Sequence, residues 1–322
     1  MTRIGLLGLG AMGRQHLAGY AQLPGVEVEM RGAGAYQAYG DGDREALYRA
    51  MIADPALDAI DLCLPTPLHP RLAIAALEAG KHVLCEKPMA LDMESCERML
   101  AAARASGRIL MIAHVLRFAP AYQALAEAVR SQRYGRLRYL KLTRSSGRPA
   151  WGPWLLDPAQ SGGAVLDLLV HDFDQAIALC GFPDTVDARP VASADGVACR
   201  LGYGRGDQGP TVEVEGGWFA DGRSFAMGFQ ARFEEAELTF VHDAASPLVL
   251  HSDKQPAGAI PLPTADMYTE QLRYFAGCCA GGGQPERCLP ADSAQAVKLA
   301  LEVRKAAEAG FAAGLQQDKE TT

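Results

Sequence analysis

The sequence predicts an α/β protein with a parallel sheet in its first part and a large, mostly antiparallel sheet in its second. Over residues 1–118 short apolar runs alternate with amphipathic stretches, which is the pattern of βαβ units. Further along, short segments alternate strictly between apolar and polar residues, as antiparallel strands with one solvated face do. A chain of 322 residues can bury two cores. We therefore expect domains at residues 1–118 and 119–322.

The parallel sheet is expected from apolar runs that are each short enough for one strand. They are Ile4–Leu7, Val26–Met30, Ala59–Leu64, His82–Cys85 and Ile109–Ile112. Helical patterns lie between the later runs. Pro70–Ala79 begins with proline and is followed by glycine, the usual asymmetry of helix ends, and Met93–Ala105 ends before Gly107.

Three segments of the second part have the two-residue period of half-buried strands. They are Leu140–Thr143, Val212–Glu215 and Phe225–Phe229. Later apolar residues are spaced i, i+4, i+7 and i+11, which places them on one face of a helix; they are Tyr268, Leu272, Phe275 and Cys279. Asp292 and Gln295 resemble a capping box that begins a last helix, and Gly310 is expected to end it after Ala309.

The antiparallel part also predicts the assembly. Strands are expected at Thr211–Phe219 and Ser224–Phe233, and their second face carries the small residues Ala226, Gly228 and Ala231. A sheet face of this kind suits burial against a second copy. We predict a homodimer, or a homotetramer built as a dimer of dimers.

The composition excludes several classes of protein. A net charge of −7 with no run of Lys or Arg argues against a nucleic-acid partner. No apolar segment approaches the roughly 20 residues that span a bilayer, so we expect no membrane partner, and the start MTRIGLLGLG does not resemble a secretory signal. The eight cysteines show no C-x-x-C spacing. We expect reduced thiols, no zinc knuckle and a cytoplasmic protein.

The segment GLGAMG follows the first expected strand and opens a helical pattern. Its spacing is G-x-G-x-x-G, formed by Gly8, Gly10 and Gly13. In this context the glycines let the backbone approach a pyrophosphate, which lies at the helix N-terminus beside Ala11 and Met12. The alternative is a tight turn without a ligand. The position of the motif favours a dinucleotide-binding loop.

The residue expected to select the cofactor is unusual. An acid commonly follows the second strand of such a domain and binds the adenine ribose, but here the strand runs from Met30 directly into Arg31. Arg31 could pair with a 2′-phosphate, which favours NADP over NAD. The alternative is a solvated charge beside a shortened loop.

The stretch KHVLCEKP places two opposite charges and a proline after an apolar run. In open α/β sheets ligands lie outside the carboxyl ends of the strands, so Glu86, Lys87 and Pro88 would face a ligand crevice. The alternative is an edge salt bridge followed by a turn proline, worth ~0.2–1 kcal/mol.

A second polar segment is expected at the same edge of the sheet. Thr66, Pro67 and His69 follow the run that ends at Leu64. They would face the same crevice, although His69 could instead be a helix-start residue. We interpret His16, three residues after the last glycine of the loop, as structural.

The segment GGAVLDLLVHDFD contains a carboxylate and an imidazole within an apolar run. Asp167 and His171 are spaced i, i+4 and share one face if the segment is helical, with Gly162 and Gly163 at its start. The alternative is a satisfied pair in the core. Nearby, Trp154 in PAWGPW could cover a sugar surface or simply pack.

These segments together resemble one family. GLGAMGRQH, LPTPLH, GKHVLCEKP, AHVLRFAPAY and SGGAVLDLLVHDFD occur in the order and spacing of the Gfo/Idh/MocA oxidoreductases, over nearly the whole chain. The resemblance implies a Rossmann dinucleotide-binding domain followed by an α/β domain. The large, mostly antiparallel sheet of that second domain commonly mediates dimerisation in the family.

The resemblance also implies roles for particular residues. Lys87 matches the catalytic lysine, which also touches the nicotinamide ribose, and is expected to be followed by a cis peptide bond. His171 matches a proton acceptor assisted by Asp167. The expected cofactor contacts are Gly8, Gly10, Ala11, Met12, Gly13, Arg31, Thr66, Pro67, His69, Glu86 and Lys87. The expected substrate contacts are Lys87, Arg117, Trp154, Asp167 and His171.

The expected activity is hydride transfer between NAD(P) and a secondary alcohol or ketone of a sugar, inositol or related polyol. In this hypothesis His171 takes the hydroxyl proton, Lys87 polarises the oxygen and Asp167 orients the pair, without a metal. Two alternatives share the fold: a non-catalytic NAD(P)-binding regulator and an NAD-dependent glycosidase. Net reduction of NAD(P) by a free polyol would distinguish the dehydrogenase from both.

Overall fold

The computed structural model describes residues 1–30, 41–150, 152–192, 194–204, 209–245, 247–281 and 283–320. Two compact units are present. The first contains Met1–Phe118 and Ala265–Ala294, and the second contains Ala119–Thr264 and Gln295–Thr322. In contrast to the contiguous division expected from the sequence, the segment Ala265–Ala294 packs with the N-terminal residues.

The strands and helices occupy the following ranges. The strands are β1 (Thr2–Leu7), β2 (Val26–Glu29), β3 (Ala59–Leu62), β4 (His82–Cys85), β5 (Leu110–Ile112), β6 (Leu137–Gly147), β7 (Thr185–Pro190), β8 (Ala194–Gly202), β9 (Thr211–Phe219), β10 (Ala226–Phe233), β11 (Glu237–Val241), β12 (Leu248–Ser252) and β13 (Gln255–Ala259). The helices are α1 (Ala11–Tyr20), α2 (Asp41–Ile52), α3 (His69–Glu78), α4 (Met93–Ser106), α5 (Pro120–Ser131), α6 (Pro158–Ser161), α7 (Gly163–Asp167), α8 (Val170–Cys180), α9 (Met267–Gly281) and α10 (Pro290–Glu320).

The first unit is a doubly wound parallel sheet. Its strand order is β2-β1-β3-β4-β5, and each neighbouring pair is parallel. The apolar runs chosen from the sequence all form strands, with ends that agree within two residues. The core of one face contains Ile4, Leu84 and Met111 from the strands, packed with Leu272 and Phe275 of α9. The helix predicted from the late apolar spacing is thus confirmed, and it covers this sheet.

The second unit is built on the larger sheet. Its order is β13-β12-β11-β10-β6-β9-β8-β7, and its pairs are antiparallel except for β6 with β9, which is parallel. Tyr122 of α5 packs edge-on against Phe229 and Phe240, with ring centroids 5.4 and 5.7 Å apart. The predicted α/β class with two unlike sheets is confirmed.

The outer face of the large sheet differs from the small-residue face expected from the sequence. Ala231 is fully buried on the inner face, because it has the opposite parity to Ala226 and Gly228 along β10. The neighbouring outer positions are charged: Lys141 Nζ lies 2.9 Å from Glu215 Oε2. Small residues are therefore a poor argument for burial of this face.

The last helix departs from its expected ends. α10 begins at Pro290, so Asp292 lies in its first turn rather than at its N-cap, and Gly310 does not end it. Asp292 instead accepts a hydrogen bond from Arg117 Nη1 at 3.1 Å. Asp292, which the sequence predicted to cap the helix, thus forms an ion pair with Arg117 instead.

Two further predictions concern the environment of the protein. None of the helices in the described residues combines the length and apolar character needed to cross a bilayer. The eight cysteines are free thiols. The cytoplasmic location stays a prediction.

Candidate functional site

The glycine loop follows β1 and requires glycine at two positions. Gly8 has a φ of +100°, and a Cβ there would lie 2.2 Å from the backbone oxygen of Cys63. A Cβ on Gly13 would lie 1.9 Å from the backbone oxygen of Gly8. Side chains at these positions would drive the loop and α1 away from the sheet, so the close packing of the three segments depends on both glycines.

The same loop leaves room where a pyrophosphate would be expected. Gly10 is the N-cap of α1 and makes no side-chain cap hydrogen bond, and no acid lies in the first turn. A Cβ on Gly10 would meet no described atom within 4 Å. Gly10 and Ala11 are exposed, so an anion can approach the N-terminal N–H groups of α1, which include those of Ala11 and Met12. These residues fit a dinucleotide cofactor.

The segments after the strands meet at one edge of the sheet. The ladder continues in register beyond the strand ends: Cys63 N–H donates to Leu7 O at 2.9 Å, and Glu86 N–H donates to Leu62 O at 2.9 Å. The strands β2 and β3 lie on opposite sides of β1, so the order of the strands reverses at β1. The glycine loop that follows β1 therefore lies at the topological switch point of the sheet. Glu86 and the glycine loop therefore share the edge where such sheets bind ligands.

Thr66 has the character of a cofactor contact. It begins a 3₁₀ turn with the exposed Pro67, and its side chain is buried. Within the part of the chain that the structure describes, Thr66 Oγ1 has no hydrogen-bond partner. A buried hydroxyl without a partner costs free energy, so a ligand group that reached it would be favoured.

His69 has backbone partners on both sides of its ring. Its Nδ1 lies 2.9 Å from Pro88 O and its Nε2 lies 2.8 Å from Leu64 O. Burial lowers the pKa of His69 more than these carbonyls raise it. His69 is also the first residue of α3, which is the alternative considered from the sequence. Its contact with the cofactor stays a prediction.

Lys87 follows β4 and is half-buried at the carboxyl edge. The Lys87–Pro88 peptide bond is cis, as the resemblance implied. The neighbouring Glu86 is buried, and its Oε2 accepts a hydrogen bond from Lys87 N–H at 3.1 Å. The Glu86 carboxylate is thus held against the backbone of Lys87.

A buried polar cluster beneath the edge was missed by the sequence reasoning. His16 Nδ1 lies 2.8 Å from Asp61 Oδ2, and the Tyr20 hydroxyl donates a hydrogen bond to the same oxygen at 3.0 Å. His16 Nε2 lies 3.3 Å from Glu86 Oε1. His16 and Asp61 are fully buried. The available signal was the acid inside the apolar run AIDLCLP, which requires a partner once that strand is buried.

These contacts set the charges of the cluster. Burial alone would lower the pKa of His16, but the charge of Asp61 raises it well above its ordinary value. Burial alone would raise the pKa of Glu86, but the contact with His16 lowers it overall. Both directions favour a charged pair.

The cluster also brings together metal-ligand atom types. His16, Asp61 and Cys63 each offer one such atom, and these atoms lie within 4.8 Å of one another. Hydrogen bonds already occupy the Asp61 oxygen that faces His16, so we interpret the group as a hydrogen-bonded cluster. The absence of a metal from the mechanism stays a prediction.

Two remaining predicted contacts of the first unit have separate outcomes. Arg31 lies outside the described residues. Arg117 pairs with Asp292, and its side chain is only 11% exposed. Its role toward substrate stays a prediction, because the ion pair already gives this guanidinium a structural use.

In the second unit Asp167 and His171 lie in two successive helices. α7 ends at Asp167, α8 begins at Val170, and Leu168 and Leu169 form the turn between them. The condition for a shared face, one continuous helix, is therefore not met, because a turn separates Asp167 from His171. Asp167 is buried and His171 is half-buried. The start expected at the two glycines is confirmed, because α7 begins at the second of them.

Two acids, the exposed Asp195 and the buried Asp172, connect these helices to the sheet. Asp195 Oδ2 accepts a hydrogen bond from Ala164 N–H at the start of α7, at 3.0 Å. Asp172, the neighbour of His171, accepts hydrogen bonds from Arg144 Nε at 2.7 Å and from Arg144 Nη2 at 3.2 Å. Burial alone would lower the pKa of Arg144, but the charge of Asp172 raises it. The first turn of α8 is thus held by a bidentate ion pair.

Trp154 lies in a 3₁₀ turn and is half-buried. It packs with Leu168 against a small cluster of Leu155, Ala164 and Trp218. This is the packing alternative considered from the sequence, and it places the indole beside α7. A contact with substrate stays a prediction.

The fold and the glycine loop define a protein with a Rossmann dinucleotide-binding domain. Residues 2–114 match the family described as "Oxidoreductase family, NAD-binding Rossmann fold", and residues 122–230 match the Gfo/Idh/MocA C-terminal domain. The protein belongs to the Gfo/Idh/MocA oxidoreductase family. The resemblance in sequence is confirmed.

Named relatives share much of the chain. It is 30% identical to 1,5-anhydro-D-fructose reductase of Ensifer adhaerens over 98% of this chain and 99% of that protein. It is 32% identical to myo-inositol 2-dehydrogenase of Thermotoga maritima over 56% of this chain and 55% of that protein. The structure of UDP-N-acetylglucosamine 3-dehydrogenase from Acidithiobacillus ferrooxidans superposes with a TM-score of 0.75 at 26% identity, covering 95% and 98% of the two chains.

Proposed function

We propose that this oxidoreductase interconverts a secondary alcohol and a ketone on a sugar, inositol or related polyol. The position of Lys87 carries the proposal: it follows β4 at the edge that holds the glycine loop. The sugar and inositol names of the relatives support the substrate class. The exposed N-terminus of α1 and the buried hydroxyl of Thr66, which has no hydrogen-bond partner among the described residues, support NAD(P) as the cofactor.

The proposed roles follow from the charges of three side chains. A bound NAD(P) would supply the redox chemistry, taking up hydride from the carbinol carbon in oxidation or giving hydride to the carbonyl carbon in reduction. The Lys87 ammonium stabilises the alkoxide-like oxygen that develops during oxidation. His171 accepts the hydroxyl proton, and Asp167 orients it for that transfer.

A substrate panel tests the reaction class. Sugars and inositols are assayed one at a time with NAD and with NADP, and absorbance at 340 nm reports net reduction. Reduction by a free polyol or sugar is expected. Cleavage of a glycoside without net reduction would favour a glycosidase, and cofactor binding without either reaction would favour a regulator.

Lys87→Met tests the catalytic lysine. Loss of a charge-stabilising group is expected to lower kcat by a factor on the order of 10² or more. Lys81→Met is the matched control, because Lys81 lies at the other end of β4 and donates to the backbone oxygens of Asp54 and Leu57, both at 2.6 Å. It is expected to lower stability and leave kcat unchanged. Near-normal kcat in Lys87→Met would contradict the assigned role.

The cofactor preference is proposed from the sequence. No acid follows Met30, and Arg31 offers a charge-assisted contact to a 2′-phosphate, which favours NADP. Titrations of both cofactors are expected to give the lower Kd for NADP. A tenfold lower Kd for NAD, about 1.4 kcal/mol, would contradict the Arg31 argument.

We also propose a homodimer, or a dimer of dimers, through the large sheet. The family resemblance supports this assembly, whereas the small-residue argument does not. Sedimentation at micromolar concentration is expected to give a dimer or a tetramer. A stable monomer would contradict the proposal.

A further inference from the structure

A chain of polar contacts runs from the middle of the parallel sheet to Lys87. It begins at Asp61 in β3, passes through the His16 ring on α1, and reaches Glu86 after β4. Glu86 then accepts the backbone N–H of Lys87. Three separate elements are thereby connected through one imidazole ring, which is fully buried.

The groups around His16 determine what its ring does. Asp61 and Cys63 face Nδ1 at 2.8 and 3.3 Å, Glu86 faces Nε2, and Tyr20 packs edge-on with ring centroids 6.5 Å apart. Two carboxylates on opposite sides of an imidazole favour its doubly protonated form. Nδ1 is hydrogen-bonded to Asp61, whereas Nε2 makes an ion-pair contact with Glu86 at 3.3 Å that is not aligned as a hydrogen bond among the described residues. The ring therefore ties the two acids together.

Glu86 in turn constrains the backbone that leads into Lys87. Its own N–H donates to Leu62 O at 2.9 Å, which fixes the peptide before it to β3. Its Oε2 receives Lys87 N–H, which fixes the peptide after it. The Glu86 carboxylate stays in position to accept the Lys87 N–H only if its own orientation is fixed. The ion-pair contact with His16 can fix that orientation.

We propose that His16 is a positioning residue that holds Glu86 against the backbone of Lys87 and so fixes the origin of the Lys87 side chain at the sheet edge. The inference rests on the proposed function, because a fixed origin matters when the ammonium must reach one developing charge. Misplacement of about 1 Å can cost on the order of 10²-fold in rate. His16 itself touches neither reactant in this scheme.

Two amide substitutions separate the two contacts of the ring. His16→Asn places an amide near the position of Nδ1, where it can still donate to Asp61 but cannot reach Glu86. His16→Gln places an amide near the position of Nε2, where it can donate to Glu86. Tyr20→Phe is the control, because it removes a buried hydrogen bond to Asp61 and leaves the Glu86 contact intact.

Hydrogen exchange at the Lys87 amide gives a readout that needs no substrate. Exchange of a peptide covering residues 85–89, measured by mass spectrometry on full-length protein, is expected to accelerate about tenfold or more in His16→Asn. It is expected to stay near the wild-type rate in His16→Gln and in Tyr20→Phe. Equal acceleration in all three variants would show a general loosening of α1 and would overturn the proposal.

Kinetics on a confirmed substrate give the second readout. We expect kcat of His16→Asn to fall about 10–100-fold with little change in KM, and kcat of His16→Gln to stay within a few-fold of wild type. Glu86→Gln is expected to give a similar fall, and the double variant to be no worse than the poorer single variant. Unchanged kcat in His16→Asn, or additive losses in the double variant, would overturn the proposal.

The two readouts keep this inference separate from the proposed function. If the wild-type protein oxidises or reduces nothing in the panel, the proposed function fails, while the exchange experiment still tests whether His16 holds Glu86. If His16→Asn does not fold, Glu86→Gln tests the same contact from its other side. Slow exchange at Lys87 in Glu86→Gln would then overturn the proposal.

Discussion

Arg144→Met is expected to destabilise the second unit strongly. Arg144 and Asp172 have side chains that are 3% and 0% exposed, and two short contacts join them. Removal of the guanidinium leaves a carboxylate buried without its counter-charge, which costs about 3–5 kcal/mol. Domains are stable by about 5–15 kcal/mol, so this loss is a large fraction of the total.

Urea unfolding followed by tryptophan fluorescence measures this loss. The three tryptophans all lie between residues 151 and 218, within the second unit, so the signal reports that unit. Lys141→Met is the control, because its pair with Glu215 is 34% and 48% exposed and such pairs contribute about 0–1 kcal/mol. Arg144→Met/Asp172→Leu is expected to recover most of the stability, since apolar replacements of both partners are often neutral. A loss below about 1 kcal/mol in Arg144→Met would refute the reasoning.

Three further predictions follow from the site. Gly13→Ala is expected to destabilise the first unit, since its Cβ would lie 1.9 Å from a backbone oxygen, whereas Gly10→Ala should raise the cofactor Kd and leave urea unfolding unchanged. Because the pKa of His16 is raised on folding, its contribution is complete below about pH 6.5 and is lost as pH rises through the folded value; His16→Asn should flatten that part of a stability–pH curve. Asp195→Ala should cost about 0.5–1.5 kcal/mol, the net contribution of a typical hydrogen bond, because the exposed Asp195 carboxylate accepts from Ala164 N–H; equal stability by urea unfolding would contradict this.

The sequence predicted the parallel sheet well because its signals are local. A strand such as His82–Cys85 is a short apolar run with defined ends, and its carboxyl end places Lys87 at the sheet edge whatever the rest of the chain does. The glycine loop is equally local, since Gly8 and Gly13 contact each other across five positions. Patterns of this range can be evaluated from the residues alone.

The features that the sequence did not reveal depend on distant partners. The pair of His16 and Asp61 joins residues 45 positions apart, so the histidine gave no sign of its role. Asp292 resembled a cap because its partner, Arg117, is 175 positions away. The turn at Leu168 could not be seen, because an unbroken apolar run has the same pattern whether its helix is continuous or bent.

The one parallel pair in the large sheet has a consequence for how this protein can diversify. β6 ends at Gly147 and its partner β9 begins at Thr211; between them the chain forms α6, α7 and α8 and then β7 and β8, which add to the same sheet beside β9. The closure entropy of a flexible loop grows only slowly with its length, by about 0.6 kcal/mol for each doubling. Changes of length in the loops between β6 and the helices therefore leave the register of β6 and β9 almost unaffected. The loops that precede the helices bearing Asp167 and His171 belong to the part of the second unit whose length can change while the pairing of the sheet is kept.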